Sequence, residues 1–485
     1  MTQFDKRNLS MVMDFYEMTM SYGYFCKGGD DVRVAFDVFF RAVPDKGGFA
    51  VFAGLEHVIE FVENLSFSEE DIAYFRAQHL FSEEFLTFLR GFRFRGDIYA
   101  VPEGTIIYPD EPLMTIVAPS IDAQLIETAV LAQINHQSLI ATKAARIVRA
   151  AEGRRVSDFG ARRAHNMDAA TYGARAAYIG GVDMTATVSA GQQFGIPISG
   201  TMAHSWVMFF EDEYTAFRNY AEIYPQAAVL LVDTYDVLHT GIPNAIRTAH
   251  EVLEPQGCRL AGVRIDSGDL AYLSKRVRVM LDEAGLTDCK IILSNSLDEF
   301  TISSLLLQGA YVDGFGVGER LITAKSDPVF GAVYKLVAVE KDGVFLPRVK
   351  MSENVEKLTN PGRKDLYRIY DEHGSAVADM IALYGEQVDL AHPFRYVDPG
   401  KPWKNRFFEG CSAVPLRRLY VKDGKRVEKL PRLDEIRAHV RRQLTAEIWQ
   451  EEQRFENPHR HYLDMTPAYY ELKMGLLDEV RGKHR

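Results

Sequence analysis

Between residues 154 and 318 this chain repeats one pattern: a short β-branched run ends in polar or glycine residues, and an amphipathic run follows. "RRVSDFG" leads into "ARRAHNMDAATYGARAAYIGG", "GIPISG" into "TMAHSWVMFFEDEYTAFRNYAEIY", and "AVLLVDT" into "YDVLHTGIPNAIRTAHEVLEPQG". "LAGVRID" and "KIILSN" open two further units, and "VDGFGVG" closes the series. Such strand–helix repeats imply parallel strands joined by right-handed crossovers. Leu270, Leu273, Val277 and Leu281 recur at spacings of three and four, the signature of one helix face. Ser296 and Glu299 read as a capping box, "SGD" at 267–269 reads as a helix cap, and Gly257, Gly285 and Gly309 stand where helical runs end.

The repeat length does not separate an open doubly wound sheet from a closed barrel. The placement of chemistry favours the barrel. Strand after strand ends in a reactive or phosphate-binding type of residue: Asp158, His204, Asp233, Arg264 with Asp266, Ser294 with Asn295, and Gly316 with Gly318. In a parallel barrel all such ends meet on one face, whereas an open sheet gathers only those near a switch point. The flanks read as mixed helix and strand, ending in a charged helical tail. The expected architecture is therefore a parallel α/β barrel over 126–340. A second α+β domain is built from 1–125 and 341–485.

Composition narrows the function class. A net charge of −11 over 485 residues argues against general binding of nucleic acid or of a membrane surface. It leaves room for an anionic substrate held by a few arginines. Cys26, Cys258, Cys289 and Cys411 are scattered without CxxC spacing, as expected of reduced thiols in a cytoplasmic protein. The polar start "MTQFDKRNLS" is not a signal peptide, and the uncharged stretch 184–210 carries too many glycines to be a membrane span. Disorder is expected only at the ends, as in "RGKHR".

Four constellations carry the candidate chemistry. In "DFGARRAH", Phe159 either stacks on a planar ring or fills the core, and Arg162 and Arg163 either grip one anion or form a solvated turn. In "GVRIDSGDL", Arg264 and Asp266 lie two apart on a strand and so point to the same side. They either hold a carboxylate and vicinal hydroxyls or close an internal salt bridge. Gly316 and Gly318 allow backbone N–H groups to approach a phosphate, with Ser294 and Asn295 on the neighbouring strand end. His204, between small residues in "PISGTMAHSW", is a candidate nucleophile. Asp233 in "LLVDTYD" is placed to accept from its Nδ1–H and leave Nε2 free. Asp233 and Asp236 either help hold magnesium or form an exposed loop pair.

In this order and spacing, "DFGARRAH", "GTMAHSW", "LLVDTYD", "VRIDSGD", "LSNSLDE" and "GFGVGERLIT" resemble the nicotinate phosphoribosyltransferase family. The N-terminal "DFYEMTMSYGYF" and the late "MSENVEKLTNPGRKDLYRIYD" extend the resemblance over nearly the whole chain. It implies a type II phosphoribosyltransferase fold and a homodimer. The implied reaction condenses nicotinate with phosphoribosyl pyrophosphate, coupled to ATP hydrolysis and assisted by Mg2+, in salvage toward NAD. By position it implies that Phe159 and Tyr16 of the partner subunit sandwich the pyridine, and that Arg264 holds its carboxylate. Arg162 contacts pyridine or phosphates, and Asp266 holds ribose hydroxyls. Asn295, Gly316 and Gly318 line the 5′-phosphate site. His204 accepts phosphate from ATP, oriented by Asp233. No metal ligand is assigned. Ala186 or Thr187 stands where the related nicotinamide enzyme uses an acid, which favours nicotinate, whereas a shifted alignment puts Asp183 there. The alternatives are a nicotinamide or quinolinate enzyme of the same fold, a non-catalytic phosphosugar-binding barrel, or a magnesium-dependent lyase barrel.

Overall fold

A computed structural model describes residues 8–350, 359–390, 392–397 and 403–483. The stretch "MSENVEKL" at 351–358, part of one family-like motif, lies outside them, as do the last two residues of the tail. Two compact units form: Ile140–Pro328, and Met1–Leu139 together with Val329–Arg485.

The unit made from both termini is α+β. Its larger sheet has seven strands and draws them from both ends of the chain. Arg33–Phe39 pairs antiparallel with Val333–Lys341 on one side and Met114–Pro119 on the other. A four-stranded sheet places Lys364–Tyr370 beside Ala376–Leu383. There Arg368 and Asp379 face each other as a fully buried fork at 2.8 and 2.7 Å. Two separated chain segments thus close one core, which explains why neither flank reads as a complete domain in sequence.

The other unit holds the repeats. Its strands are β1 (Arg155–Asp158), β2 (Met184–Thr185), β3 (Val229–Leu231), β4 (Gly262–Ile265), β5 (Lys290–Ser294) and β6 (Gly314–Val317). All neighbours pair in parallel, in the order β2-β1-β6-β5-β4-β3. Thr185 also bridges in parallel to Ile198. Chain order therefore runs round a ring that opens only between the segment at Ile198 and β3. The fold is mixed α/β with a parallel sheet, as the repeats predict. Because the sheet is parallel, every strand's C-terminal end lies on the same side.

Local signals mostly hold. Helix Leu270–Glu283 buries Leu270, Val277 and Leu281, and Asp269 of "SGD" caps it by accepting from Tyr272 N–H at 3.0 Å. The three helix-ending glycines all have positive φ. The capping box at 296–299 does not form. Ser296 sits at φ 48°, outside the extended region an N-cap needs, and Asp298 caps helix Glu299–Leu307 instead. Glu299 is buried and drawn to Lys143 Nζ at 2.9 Å and Arg146 Nε at 2.7 Å.

Candidate active site

The end of β4 carries the charge. Arg264 is 9% exposed, and burial holds its pKa below the usual guanidinium value, with Asp266 and Asp233 opposing and Arg162 adding to the shift. It forms no ion pair among the described residues. Its Nη1 donates to Thr201 Oγ1 at 2.6 Å, and its Nε finds no partner there. The guanidinium lies 5.7 Å from the centre of the Phe159 ring. An internal salt bridge between Arg264 and Asp266 is thereby ruled out. A desolvated cation with an unused donor beside an aromatic face is the arrangement that receives an aromatic anion.

Phe159 follows β1, and its N–H donates to Val317 O at 2.8 Å. Behind it, Asp158 is buried and spends both oxygens internally, accepting from Gly160 N–H and Thr185 Oγ1 at 2.8 Å each. Burial raises its pKa against those two hydrogen bonds. Asp158 therefore braces the turn and offers nothing to a ligand. Gly316 lies within β6, where an added Cβ would stand 2.3 Å from Phe159 Cε2 and 2.4 Å from Cδ2. The ring needs that space. Gly316→Ala is expected to displace it and cost about 1–3 kcal/mol of stability. Urea unfolding would read the loss, and an unchanged midpoint would show that the ring gives way freely. Gly318 precedes the short helix Glu319–Ile322, with room for a Cβ only 3.2 Å from Phe159 O.

His204 begins helix His204–Phe209, and its side chain is 38% exposed. Its Nδ1 meets Thr234 Oγ1 at 3.2 Å. Its Nε2 points toward Asp266 Oδ2 at 3.6 Å and Asp233 Oδ1 at 4.0 Å. The ring edge expected to face Asp233 thus faces a hydroxyl, and the two carboxylates flank the opposite nitrogen. Thr234 closes on His204, and Thr201 on Arg264, across the opening in the ring of strands.

Asn295 follows β5 at φ 90°, with Ser296 at 48° behind it. Two consecutive left-handed residues that are not glycine mark stored backbone strain, which clusters where backbone groups are aimed at ligands. Arg162 is exposed on the turn Ala161–Arg163. Asp236 is a helix cap, accepting from Leu238 N–H at 3.0 Å and His239 N–H at 2.8 Å. Tyr16 lies in the other unit, on helix Phe15–Cys26, and is 43% exposed. Of the expected residues, Phe159 and Arg264 meet each other, and Asp266 and Asp233 flank His204. The sequence reading missed Thr201, Thr234 and Ser267. Hydroxyls in strand-to-helix turns are so common that no spacing distinguishes them, and Ser267 in particular reads as part of a cap.

Three family models match in succession: the nicotinate phosphoribosyltransferase N-terminal domain over residues 11–135, the nicotinate phosphoribosyltransferase family over 154–357, and the C-terminal domain over 363–473. The chain is 44% identical to a nicotinate phosphoribosyltransferase of Bacillus subtilis, covering 99% of this chain and 97% of that one. It is 34% identical to one from Caenorhabditis elegans, covering 95% and 92%. Among solved structures it resembles human nicotinic acid phosphoribosyltransferase with a TM-score of 0.84 at 29% identity, covering 96% of this chain and all 100% of the other. It also resembles nicotinate-nucleotide pyrophosphorylase from Pyrococcus furiosus with a TM-score of 0.69 at 26% identity, covering 92% and 99%. No described helix is long and apolar enough to cross a membrane.

Proposed function

The chain belongs to the nicotinate phosphoribosyltransferase family, and from that premise we propose that it makes nicotinate mononucleotide and pyrophosphate from nicotinate and phosphoribosyl pyrophosphate. The reaction is coupled to ATP hydrolysis and serves NAD salvage. The observation that carries this reading is the buried Arg264 guanidinium with its partnerless Nε beside Phe159. Nicotinate is a planar ring bearing one carboxylate, and this pair complements both parts. Nicotinamide would leave the buried charge uncompensated, which costs far more than an exposed one.

Held there, the pyridine nitrogen attacks C1 of the ribose, the C1–oxygen bond breaks, and pyrophosphate leaves with the electron pair. Positive charge builds on the ribose as that bond opens, so positioning and fixed negative groups lower the barrier. Asp266 takes the ribose hydroxyls, while Asn295, Gly316 and Gly318 line the 5′-phosphate and Arg162 meets the pyrophosphate. Tyr16 of a second copy covers the pyridine in a homodimer. With the ring proton on Nδ1, donated to Thr234 Oγ1, the Nε2 lone pair of His204 attacks the γ-phosphorus of ATP. The bond to the β–γ bridging oxygen breaks and ADP leaves, and water later cleaves the phosphoramidate.

A hard divalent cation fits this donor set. Asp233 Oδ1 is a buried carboxylate oxygen with no hydrogen-bond partner among the described residues, and it and Asp266 Oδ2 face the same nitrogen of His204. Those two residues would hold Mg2+ together with substrate phosphates. When bound, it neutralises phosphate charge. The test is pyrophosphate release in the presence of ATP and Mg2+, with nicotinate, nicotinamide and quinolinate compared side by side. Fastest release with nicotinate is expected. Release with none of them would overturn the reading, and faster release with another base would reassign the base site.

A further inference from the structure

The two carboxylates that face His204 are held in the same way. Asp233 Oδ2 accepts from Ser267 Oγ at 2.6 Å, and its other oxygen, Oδ1, is the one turned toward His204 Nε2. Asp266 Oδ1 accepts from Ser294 Oγ, and its other oxygen, Oδ2, is turned toward the same nitrogen. In each case the hydroxyl comes from the strand end one step further round the sheet: β4 serves the aspartate after β3, and β5 serves the aspartate after β4. Neither hydroxyl is needed locally. Asp269 caps the helix after Ser267, and Asp298 caps the helix after Ser294.

A carboxylate turns easily about its terminal torsion, which is broad and roughly two-fold. A hydrogen bond to one ionised oxygen fixes the plane and so fixes where the other oxygen points. We infer that Ser267 and Ser294 are positioning residues, which clamp Asp233 and Asp266 so that one free oxygen of each faces Nε2 of His204. The inference rests on the role proposed above for His204 and deepens it. It also assigns the two serines different kinetic signatures. Ser267 acts through Asp233, whose side chain is 1% exposed, and so bears on phosphoryl acceptance. Ser294 acts through Asp266, which also meets the ribose.

The experiment measures steady-state turnover and single-turnover labelling by γ-labelled ATP on the full chain. Ser267→Ala is expected to slow labelling and lower kcat about 10-fold, the loss of one charge-assisted hydrogen bond, with the KM for nicotinate unchanged. Ser267→Thr restores both, because it keeps the hydroxyl. Ser294→Ala is expected to raise the KM for phosphoribosyl pyrophosphate about 10-fold. A purely structural role would lower the thermal midpoint without this split. If the unsubstituted chain takes label and Ser267→Ala takes it equally fast, the clamp is overturned while the reading of His204 stands. If the unsubstituted chain takes no label, both fall. Failure of Ser267→Thr to restore the rate also overturns the clamp.

Discussion

His204→Ala is expected to abolish the acid-labile label left by γ-labelled ATP and to cut ATP-coupled turnover by about 10²–10⁴-fold, the range for losing a positioned acid–base or nucleophilic group. Alanine removes the ring nitrogen that stands between Asp266 at 3.6 Å and Asp233 at 4.0 Å. It should not unfold the chain, since the imidazole is 38% exposed and its one close hydrogen-bonding partner among the described residues is Thr234. Residual turnover without ATP is expected to persist, because Phe159, Arg264 and Asp266 stay in place and still orient base and ribose. Peptide mapping of the unsubstituted chain should find the label on the segment containing His204. A His204→Ala chain that keeps full ATP stimulation, or a label that maps to another residue, would remove His204 from the mechanism.

The contrast between the charged residues and their hydroxyl partners shows what a sequence can carry. Period-two geometry was enough to put Arg264 and Asp266 on one side of a strand, and repeated strand ends were enough to put His204 and Asp233 near them. Those placements follow from backbone regularity. Which edge of the imidazole faces which neighbour does not, because it depends on the ring opening between the Ile198 segment and β3, and on Thr234 standing at that opening. Asp158 was misread for a related reason. A strand-end aspartate looks the same in sequence whether it faces a ligand or a buried Thr185 hydroxyl. Gly316 was read for phosphate, and the structure adds an independent demand on it from the Phe159 ring. The α+β unit was legible only as a remainder, since its sheet interleaves strands more than two hundred residues apart, such as Val34 opposite Val339.

Arg264→Ala is expected to lower kcat/KM for nicotinate by about 100-fold or more, and to change the rate with nicotinamide far less. A charged hydrogen bond contributes about 1.5–3 kcal/mol, and each 1.4 kcal/mol is a factor of ten. The contribution lies at the upper end here because the guanidinium is already desolvated, 9% exposed with no ion pair among the described residues. An incoming carboxylate supplies the counter-charge the protein withholds. Arg264→Lys should recover only part of the loss, since an ammonium cannot present a planar fork and would not reach Thr201 Oγ1 in the same way. The same cost makes a stability prediction of opposite sign. Arg264 is buried without an ion pair among the described residues, so Arg264→Met should leave the resting chain as stable as before or slightly more so. Nicotinate should then raise the thermal midpoint of the unsubstituted chain and leave that of the variant unmoved. A variant that unfolds earlier yet keeps its preference for nicotinate would mean that Arg264 holds the fold together and that the carboxylate is recognised elsewhere.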